Sequence, residues 1–312
     1  MKGWSDLKNY NDNTKNKSKS KISLFGKEFE AWLLLFPLIF VAVLLIWYPQ
    51  VMSFIWSLCD MQGYTVTGFA GFANYKSVLT NTMFVKILWN TIKYVIWSLL
   101  IGYFSPLVVA LMINEMVHFK SGFKTLIYFP HVLPGVAAAI IWYLMLFPDA
   151  GGMFNMVLSL FGAQPVGWLQ NEKLTIPLIV LTTTWGGMPA SMLMYLAALQ
   201  GVNRDLYEAA TIDGAGVGRR LWSITLPQIS GMMLLMLINQ IISVFQILEA
   251  PMAMTGGGPN NASMSLVYWS YKQGFENFRV GTAMAIGNIV FVILIVMTIF
   301  YFKLDKKVSD NI

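Results

Sequence analysis

The chain has 312 residues, of which 56% are hydrophobic and only 12% charged, and its formal net charge is +6. Soluble domains carry about 25% charged residues, so this composition excludes an ordinary soluble protein and indicates several membrane-spanning helices. The single cysteine, Cys59, excludes a disulfide framework and any cysteine-rich metal site within one chain.

The N-terminal segment, residues 1–30, is polar and rich in Asn and Lys, and we expect it to form a disordered cytoplasmic tail. It is too long and too polar for the charged region of a cleaved signal peptide, and the apolar run behind it is too long for the apolar region of one. The first spanning helix is therefore expected to stay in the mature protein.

Beyond this tail, the sequence predicts an all-α integral membrane protein, with six spanning helices within residues 31–303 and a cytoplasmic tail at 304–312. A spanning helix needs about 20 apolar residues, and uncharged windows of that size recur along the chain. Two more uncharged windows, 150–171 and 250–271, contain the glycine and proline clusters that mark loops, so we assign them to outer loops with room for short re-entrant or interfacial helices. The stretch 74–94 has apolar residues at helical spacing between lysines and predicts an amphipathic helix in the membrane interface. The predicted spans are residues 31–56, 90–114, 125–148, 174–199, 228–250 and 280–302.

The distribution of Lys and Arg predicts the orientation of these helices, because cytoplasmic loops carry an excess of positive charge. Fifteen of the 21 Lys and Arg residues lie in the N-terminal tail, the loops after the second and fourth spans, and the C-terminal tail. The other six are Lys76, Lys86, Lys93, Lys173, Lys272 and Arg279. Both termini are therefore expected in the cytoplasm, and the positive net charge is explained without a nucleic-acid partner.

The loop between the fourth and fifth predicted spans is polar and is expected to form two short cytoplasmic helices. Asn203 is a suitable N-cap residue for the first helix, and Gly214 can take the positive φ that ends it. The second helix is predicted over Val217–Leu226 and ends at Pro227. Small side chains on the first helix let another protein approach closely, which is typical of a docking element.

The residue spacing in this loop resembles the cytoplasmic signature of the permease subunits of bacterial ATP-binding-cassette importers, and above all that of the maltose-type and glycerol-phosphate-type sugar importers. Two further stretches, Trp89–Tyr94 and Thr255–Tyr271, are similar to the same group, and the resemblance extends from about residue 32 to residue 302. In that family the loop helix docks in a cleft of a cytoplasmic ATPase. The resemblance therefore implies that seven residues couple the chain to ATP hydrolysis: Glu208, Ala209, Ala210, Gly214, Ile224, Leu226 and Pro227.

The resemblance also implies the partners. The sequence lacks the G-x-x-x-x-G-K-S/T loop with which an ATPase binds phosphate, so we expect separate ATPase subunits to bind ATP and Mg, and we predict neither a cofactor nor an enzymatic activity in this chain. The family combines two permeases, usually different, with two ATPases and an external sugar-binding protein. The chain is thus expected to form half of the pathway for a sugar or oligosaccharide across the inner (plasma) membrane of a bacterium.

Polar residues inside a span usually face protein or water, and the fifth predicted span contains several. Asn239, Ser243 and Gln246 fall on one stripe of an ideal helix, and Glu249 lies about 80° away near the outer end. Amide and hydroxyl side chains both donate and accept hydrogen bonds, which suits sugar hydroxyls, and an aromatic side chain such as Tyr195 can stack on a sugar face. These residues either line the pathway or hydrogen-bond to neighbouring helices, and the sequence leaves both interpretations open.

The loop before the last predicted span contains three consecutive glycines, Gly256, Gly257 and Gly258, followed by Pro259. Such glycines permit backbone paths that other residues cannot take. The loop either gates the outer mouth, or meets the docked binding protein, or is a flexible turn. The resemblance favours a functional role.

Other classes of function find little support in the sequence. His118 and His131 have no second ligand at metal-binding spacing, so no metal site is predicted. An ion-coupled secondary transporter needs an ion or proton relay, and the only acid expected at membrane depth is Glu249. An importer permease for a non-sugar solute is the alternative within the same family.

Overall fold

The computed structural model describes residues 24–116 and 118–309, and these residues are mainly helical. They fall into two units, which divide between Met52 and Ser53. The predicted polar tail lies outside the described residues as far as residue 23, and the first helix begins already at Leu24.

The first unit is a single helical path. Helix α1 (Leu24–Ala42) leads through a π-helical turn (Val43–Trp47) into α2 (Tyr48–Ser57), whose last residues belong to the second unit. Its apolar side chains, such as Leu34 and Ile46, are exposed, and none in the most apolar part of the helix is buried within the chain. Lipid or another subunit must cover them, as expected for a spanning helix.

The second unit opens with a small β-hairpin. Strand β1 (Cys59–Gln62) pairs antiparallel with β2 (Thr65–Phe69), and a bulge interrupts the register between Asp60 and Met61. Gly63 takes a φ of +59° in the turn, and the β-branched residues of β2 favour extended backbone. The all-α prediction is wrong at this point, because a search for long uncharged windows does not detect short strands.

The predicted interfacial helix over 74–94 is divided in two. The side chain of Asn81 accepts a hydrogen bond from the backbone N–H of Met83 at 2.8 Å and caps a new helix there. That helix continues into the span as one apolar helix of 34 residues. Lys86 and Lys93 therefore belong to the spanning helix and not to a separate interfacial helix. The elements are α3 (Ala73–Leu79), α4 (Thr82–Trp97), a π-helical segment (Ser98–Tyr103) and α5 (Phe104–Glu115).

Two bent pairs of helices occur: the first replaces the predicted span 125–148, and the second joins the predicted loop helix to the start of the fifth span. The chain turns by 94° at Leu133 and Pro134, and by 70° at Ile229. Leu133 is extended because the ring of a following proline disfavours helical backbone. The remaining elements are α6 (Lys120–Tyr128), a 3-10 turn (Phe129–Val132), α7 (Gly135–Met145), α8 (Met153–Leu160), α9 (Glu172–Gln200), α10 (Arg204–Ile212), α11 (Val217–Arg220), a π-helical turn (Leu221–Thr225), α12 (Leu226–Gln228), α13 (Ser230–Phe245), α14 (Glu249–Thr255), α15 (Leu266–Tyr271), another π-helical turn (Lys272–Glu276) and α16 (Val280–Ser309).

Within the described residues, four helices are long and apolar enough to cross a membrane, and the number rises to six if each bent pair counts as one span. Three core clusters hold the second unit together. One lies around Tyr195 on α9, one around Leu266 on α15, and one around Ile179 on α9. Helix α13 contributes buried side chains to all three clusters, so it links the segments that precede and follow it.

Candidate functional site

Hydrogen bonds define both ends of α10. At its start, the Asn203 side chain accepts from the backbone N–H of Asp205 at 3.0 Å. At its end, Gly214 has a φ of +75°, and the N–H of Ala215 donates to the carbonyl oxygen of Ala210 at 2.8 Å. The N–H of Gly214 bonds to the next carbonyl along the helix at 3.1 Å, which completes a Schellman motif. The capping roles predicted for Asn203 and Gly214 are therefore confirmed.

Two hydrogen bonds fasten α10 to the helices that follow it. The hydroxyl groups of Tyr207 and Thr225 lie 2.9 Å apart. Arg220 Nη1 donates to Thr211 Oγ1 at 3.1 Å. These two bonds join the short helices on either side of Gly214.

The motif residues in the second half of this loop differ in where they face. Ile224 and Leu226 pack with Tyr207 against the core cluster of α5, α9 and α13. Pro227 is exposed and lies in α12, directly after the π-helical turn Leu221–Thr225. The prediction that the helical path ends at Pro227 is wrong, because it continues through Gln228. These contacts join α10 and the residues after it to the spanning helices.

The face of α10 that points away from the core cluster is little covered by the described residues. Glu208 and Ala209 are exposed, Ala210 is half-buried, and Ile212 is 86% exposed. Glu208 forms no hydrogen bond or ion pair with the part of the chain that the structure describes. An exposed carboxylate beside small and apolar side chains suits contact with another protein.

A polar cavity of about 230 Å³ lies between the π-helical segment Ser98–Tyr103, α9 and α13. Gly102 makes room for it, because an added Cβ would lie 2.7 Å from Gln240 Nε2 and 3.0 Å from Thr184 Oγ1. Ser243 is the predicted pathway residue on its wall. The sequence analysis did not predict that hydroxyl groups of α9 line a cavity, although the polar run "TTTWGG" is unusual in an apolar helix. The polar lining residues are Ser98, Thr183, Thr184, Ser191, Gln240 and Ser243.

A second cavity, of about 290 Å³, shares Thr183 with the first. His131 lines it, and its Nδ1 lies 2.9 Å from the carbonyl oxygen of Gly186. Glu249 lines it as well, with its carboxylate packed where a side chain on Gly135 would have to lie. The structure thus brings to His131 a carboxylate that sequence spacing did not reveal. No group of three metal-ligating side chains occurs among the described residues.

The predicted polar stripe on the fifth span is only partly present. Helix α13 ends one residue before Gln246, which is its C-cap residue, and Glu249 begins the separate helix α14. The predicted angle between Glu249 and the stripe is therefore wrong. Asn239, Ser243 and Gln246 are all exposed. Tyr195 is fully buried in a core cluster, so the structure does not support it as a pathway residue.

The glycine loop before the last span is a tight, hydrogen-bonded structure. Gly256 and Gly257 take φ values of +58° and +86°, and the peptide bond between Gly258 and Pro259 is cis. The hydroxyl group of Ser263 donates to the carbonyl oxygen of Gly258 at 2.7 Å. The loop thus has a defined main-chain path with its own hydrogen bond.

Helix α4 holds this loop by three buried side chains, and all three belong to the stretch Trp89–Tyr94. Asn90 Nδ2 donates to the carbonyl oxygen of Asn261 at 2.8 Å, and the Tyr94 hydroxyl donates to that of Ser263 at 2.9 Å. Thr91 Oγ1 accepts from a backbone N–H at the start of α15 at 3.1 Å. The stretches Trp89–Tyr94 and Thr255–Tyr271, which resemble the sugar-importer group, are thus parts of one structure.

Comparison with known proteins decides the family. Residues 107–310 match the family described as binding-protein-dependent transport system inner membrane component. The chain belongs to this family. The matched region contains the segment 203–229, the α9 and α13 walls of the polar cavity, and the glycine loop.

Full-length relatives agree with this assignment. The permease is 30% identical to the arabinooligosaccharides transport system permease protein AraP of Bacillus subtilis, over 90% of each chain. It is 31% identical to the trehalose/maltose transport system permease protein MalF of Thermococcus litoralis, with 89% of this chain and 94% of the relative covered. For the sn-glycerol-3-phosphate transport system permease protein UgpA of Rhizobium meliloti, the identity is 29% and the coverage 91% and 97%. The resemblance to sugar-importer permeases is therefore confirmed.

The fold is shared with a solved transporter. A chain of a bacterial ABC transporter involved in the import of the acidic polysaccharide alginate matches with a TM-score of 0.80. Its sequence is 23% identical, and the match covers 90% of this permease and 96% of that chain. The arrangement of helices is therefore that of an ABC importer permease.

Proposed function

We propose that this permease forms half of the membrane pathway of an ATP-driven importer for a sugar or oligosaccharide. The names of two relatives refer to arabinooligosaccharides and to trehalose and maltose, which supports this class of substrate. A third name refers to sn-glycerol-3-phosphate, so a non-sugar solute is the alternative. Membership of a binding-protein-dependent family disfavours an ion-coupled secondary transporter.

The proposal includes six spans and cytoplasmic termini in the plasma (inner) membrane of a bacterium. Counting each bent pair of helices as one span gives six, and in the second pair we propose that Ser230–Phe245 crosses the membrane while Val217–Gln228 lies at its cytoplasmic side. Fifteen of the 21 Lys and Arg residues then lie on the cytoplasmic side, as the positive-inside rule requires. This orientation places the segment 203–229 in the cytoplasm and the glycine loop outside.

The observation that carries the proposal is the two-sided construction of the segment 203–229. Its outer face offers the exposed Glu208 and Ala209, while Tyr207, Ile224 and Leu226 on its inner face pack against the spanning helices. An ATPase subunit that grips the outer face would move the inner contacts with it. We propose that two such subunits bind ATP and Mg, since this chain has no phosphate-binding loop.

The polar cavity between α9 and α13 is the proposed part of the sugar pathway. Hydroxyl and amide groups from Thr183, Gln240 and Ser243 line it, and such groups both donate and accept hydrogen bonds. Asn239 and Gln246 are exposed beside it on α13 and at the end of that helix. In an assembly with a second permease, this polar face would meet the partner or the pathway that the two share.

The glycine loop is the proposed contact for the external binding protein. It is held at the outer ends of two spans, because Lys86 Nζ donates to the carbonyl oxygen of Asn260, and Asn260 Nδ2 donates to Glu172 Oε1 at 2.8 Å. A rigid loop fixed to two helices can pass the arrival of a partner to both of them.

Transport by the reconstituted complex tests this function. The permease, its partner permease and the ATPases are placed in proteoliposomes, and uptake of labelled oligosaccharides is measured with and without ATP and the binding protein. We expect uptake that needs both. Uptake driven by a proton gradient without ATP would contradict the proposal.

A matched pair of variants tests the pathway. Thr183 and Thr298 both bond to their own helix, four residues back, at 3.0 and 2.7 Å. Thr183 lines both cavities, whereas Thr298 lies on α16 and lines neither. We expect Thr183→Val to lower sugar uptake and Thr298→Val to leave it unchanged. Equal uptake by both variants would remove this cavity from the pathway.

A further inference from the structure

A larger cavity, of about 810 Å³, lies between the end of α5, the end of α9 and the segment 203–229. Three cationic side chains line it, those of Lys120, Arg204 and Arg220, together with one carboxylate, that of Glu115. We call it the basic cavity. Its lining therefore carries an excess of positive charge.

These cations have no acidic partner among the described residues. The one ion pair in that part of the chain joins Lys272 and Glu276, neither of which lines the basic cavity. Lys120 and Arg220 each donate one hydrogen bond to a neutral oxygen, at 3.2 and 3.1 Å. The side chain of Arg204 makes no hydrogen bond there. Their charge is thus available to a bound anion.

The basic cavity also has an apolar exit along α5. Met112 lines it and is exposed, and Val108 and Phe104 precede Met112 at intervals of four residues and are exposed as well. Residues four apart lie one above the other on the same helix face. An exposed apolar stripe therefore leads from the basic cavity along a spanning helix, where lipid acyl chains lie.

We propose that the basic cavity binds the phosphate headgroup of an anionic phospholipid, with an acyl chain along Phe104, Val108 and Met112. Basic pockets between spanning helices at the cytoplasmic side recognise such headgroups, and the orientation proposed above places the cavity there. The apolar stripe favours a lipid over a soluble phosphate. Because Tyr207 lines the same cavity, a bound lipid steadies the segment that is proposed to meet the ATPase.

Lipid retention by the purified complex tests this site. The complex is placed in nanodiscs of phosphatidylcholine with increasing phosphatidylglycerol, and native mass spectrometry counts the lipids that stay bound. We expect Arg204→Gln and Lys120→Gln each to weaken phosphatidylglycerol retention about fivefold, since one cation near a membrane surface contributes about 1 kcal/mol. Arg219→Gln is the matched control, because Arg219 is exposed in the same loop but does not line the cavity.

Three outcomes overturn the proposal. If the wild type and all three variants retain phosphatidylglycerol equally, the basic cavity is not a lipid site. Displacement of the lipid by inorganic phosphate assigns the basic cavity to a soluble anion. Retention by the two permeases alone, but not by the complex with ATPases, assigns it to the ATPase interface. Thermal unfolding of each variant checks its fold, and lipid retention does not depend on transport, so failure here is distinct from failure of the proposed function.

Discussion

Replacing Gly214 tests whether the capped end of α10 couples the permease to an ATPase. Its φ of +75° costs a residue with a Cβ roughly 1–2 kcal/mol. No atom lies within 4 Å of an added Cβ, so the backbone alone carries the effect. Gly214→Ala should lower the population of the capped conformation roughly 5- to 30-fold. Gly214→Val should lower it further, because β-branched residues are genuine outliers in this region.

The assay compares two activities of the reconstituted complex: uptake in proteoliposomes and ATP hydrolysis stimulated by the binding protein. We expect Gly214→Val to insert normally, because Gly214 is exposed and the cap is not part of the core. We expect the same variant to lose both uptake and stimulated ATP hydrolysis, because the cap is lost. Gly218→Ala is the control, since Gly218 is helical in α11 and has open space around its added Cβ. Wild-type transport by Gly214→Val, or an equal loss in Gly218→Ala, would refute the coupling role.

Three more predictions follow from the same structure. Gly102→Ala should lower sugar uptake, because its Cβ would displace the Gln240 amide, which lines the cavity. Gly231→Ala, with open space around it, should leave uptake unchanged, and equal uptake by the two variants would separate Gly102 from transport. Tyr94→Phe leaves the buried Ser263 carbonyl without its donor, a loss of about 1–3 kcal/mol, and should lower both the unfolding temperature and the ATP hydrolysis that the binding protein stimulates. Basal hydrolysis should stay near the wild-type rate, whereas an equal fall in both activities would indicate misfolding. Reporters active only outside the cytoplasm should give signal when fused after Glu172 or Gly258 and none after Gly122, Gly216 or Lys307; a signal at Gly216 would overturn the orientation.

The caps of α10 could be predicted because each acts through its own residue. Asn203 supplies an acceptor to the N–H groups next to it, and Gly214 supplies a backbone conformation that side chains disfavour. Neither effect depends on distant parts of the chain. The sequence of the loop was therefore sufficient for both.

The end of α13 was missed because the uncharged sequence around it continues without a break, although Pro251 indicates that the helix stops. In one continuous helix, the carbonyl of Ile247 would need the N–H of residue 251, which is a proline and has none. The structure ends α13 at Phe245 instead, and the Ile247 carbonyl accepts from Ser265 Oγ at 2.6 Å. Pro251 then lies in the first turn of α14, where a proline is tolerated. A search for uncharged windows passes over this break, because the residues between the two helices, Gln246, Ile247 and Leu248, carry no charge.

The cavities could not be predicted from any one stretch. Gly102, Thr184 and Gln240 come from three different helical segments and meet only when these pack. The same packing buries Tyr195, whose ring chemistry suited a sugar face but whose position is in the core. Side-chain type indicates what a residue can bind, and tertiary contacts decide whether it faces a cavity.

Side chains of helix α4 hold the glycine loop by hydrogen bonds to the main chain of the loop. Asn90 and Tyr94 donate to carbonyl oxygens of the loop, and Thr91 accepts from a main-chain N–H. Every residue type carries the same carbonyl group, so the hydrogen bonds from Asn90 and Tyr94 do not depend on which side chains the loop carries. If the loop meets an external binding protein, as proposed above, substitutions in it could alter that contact while α4 still holds the main chain in place, provided that Asn260 keeps its bond to Glu172.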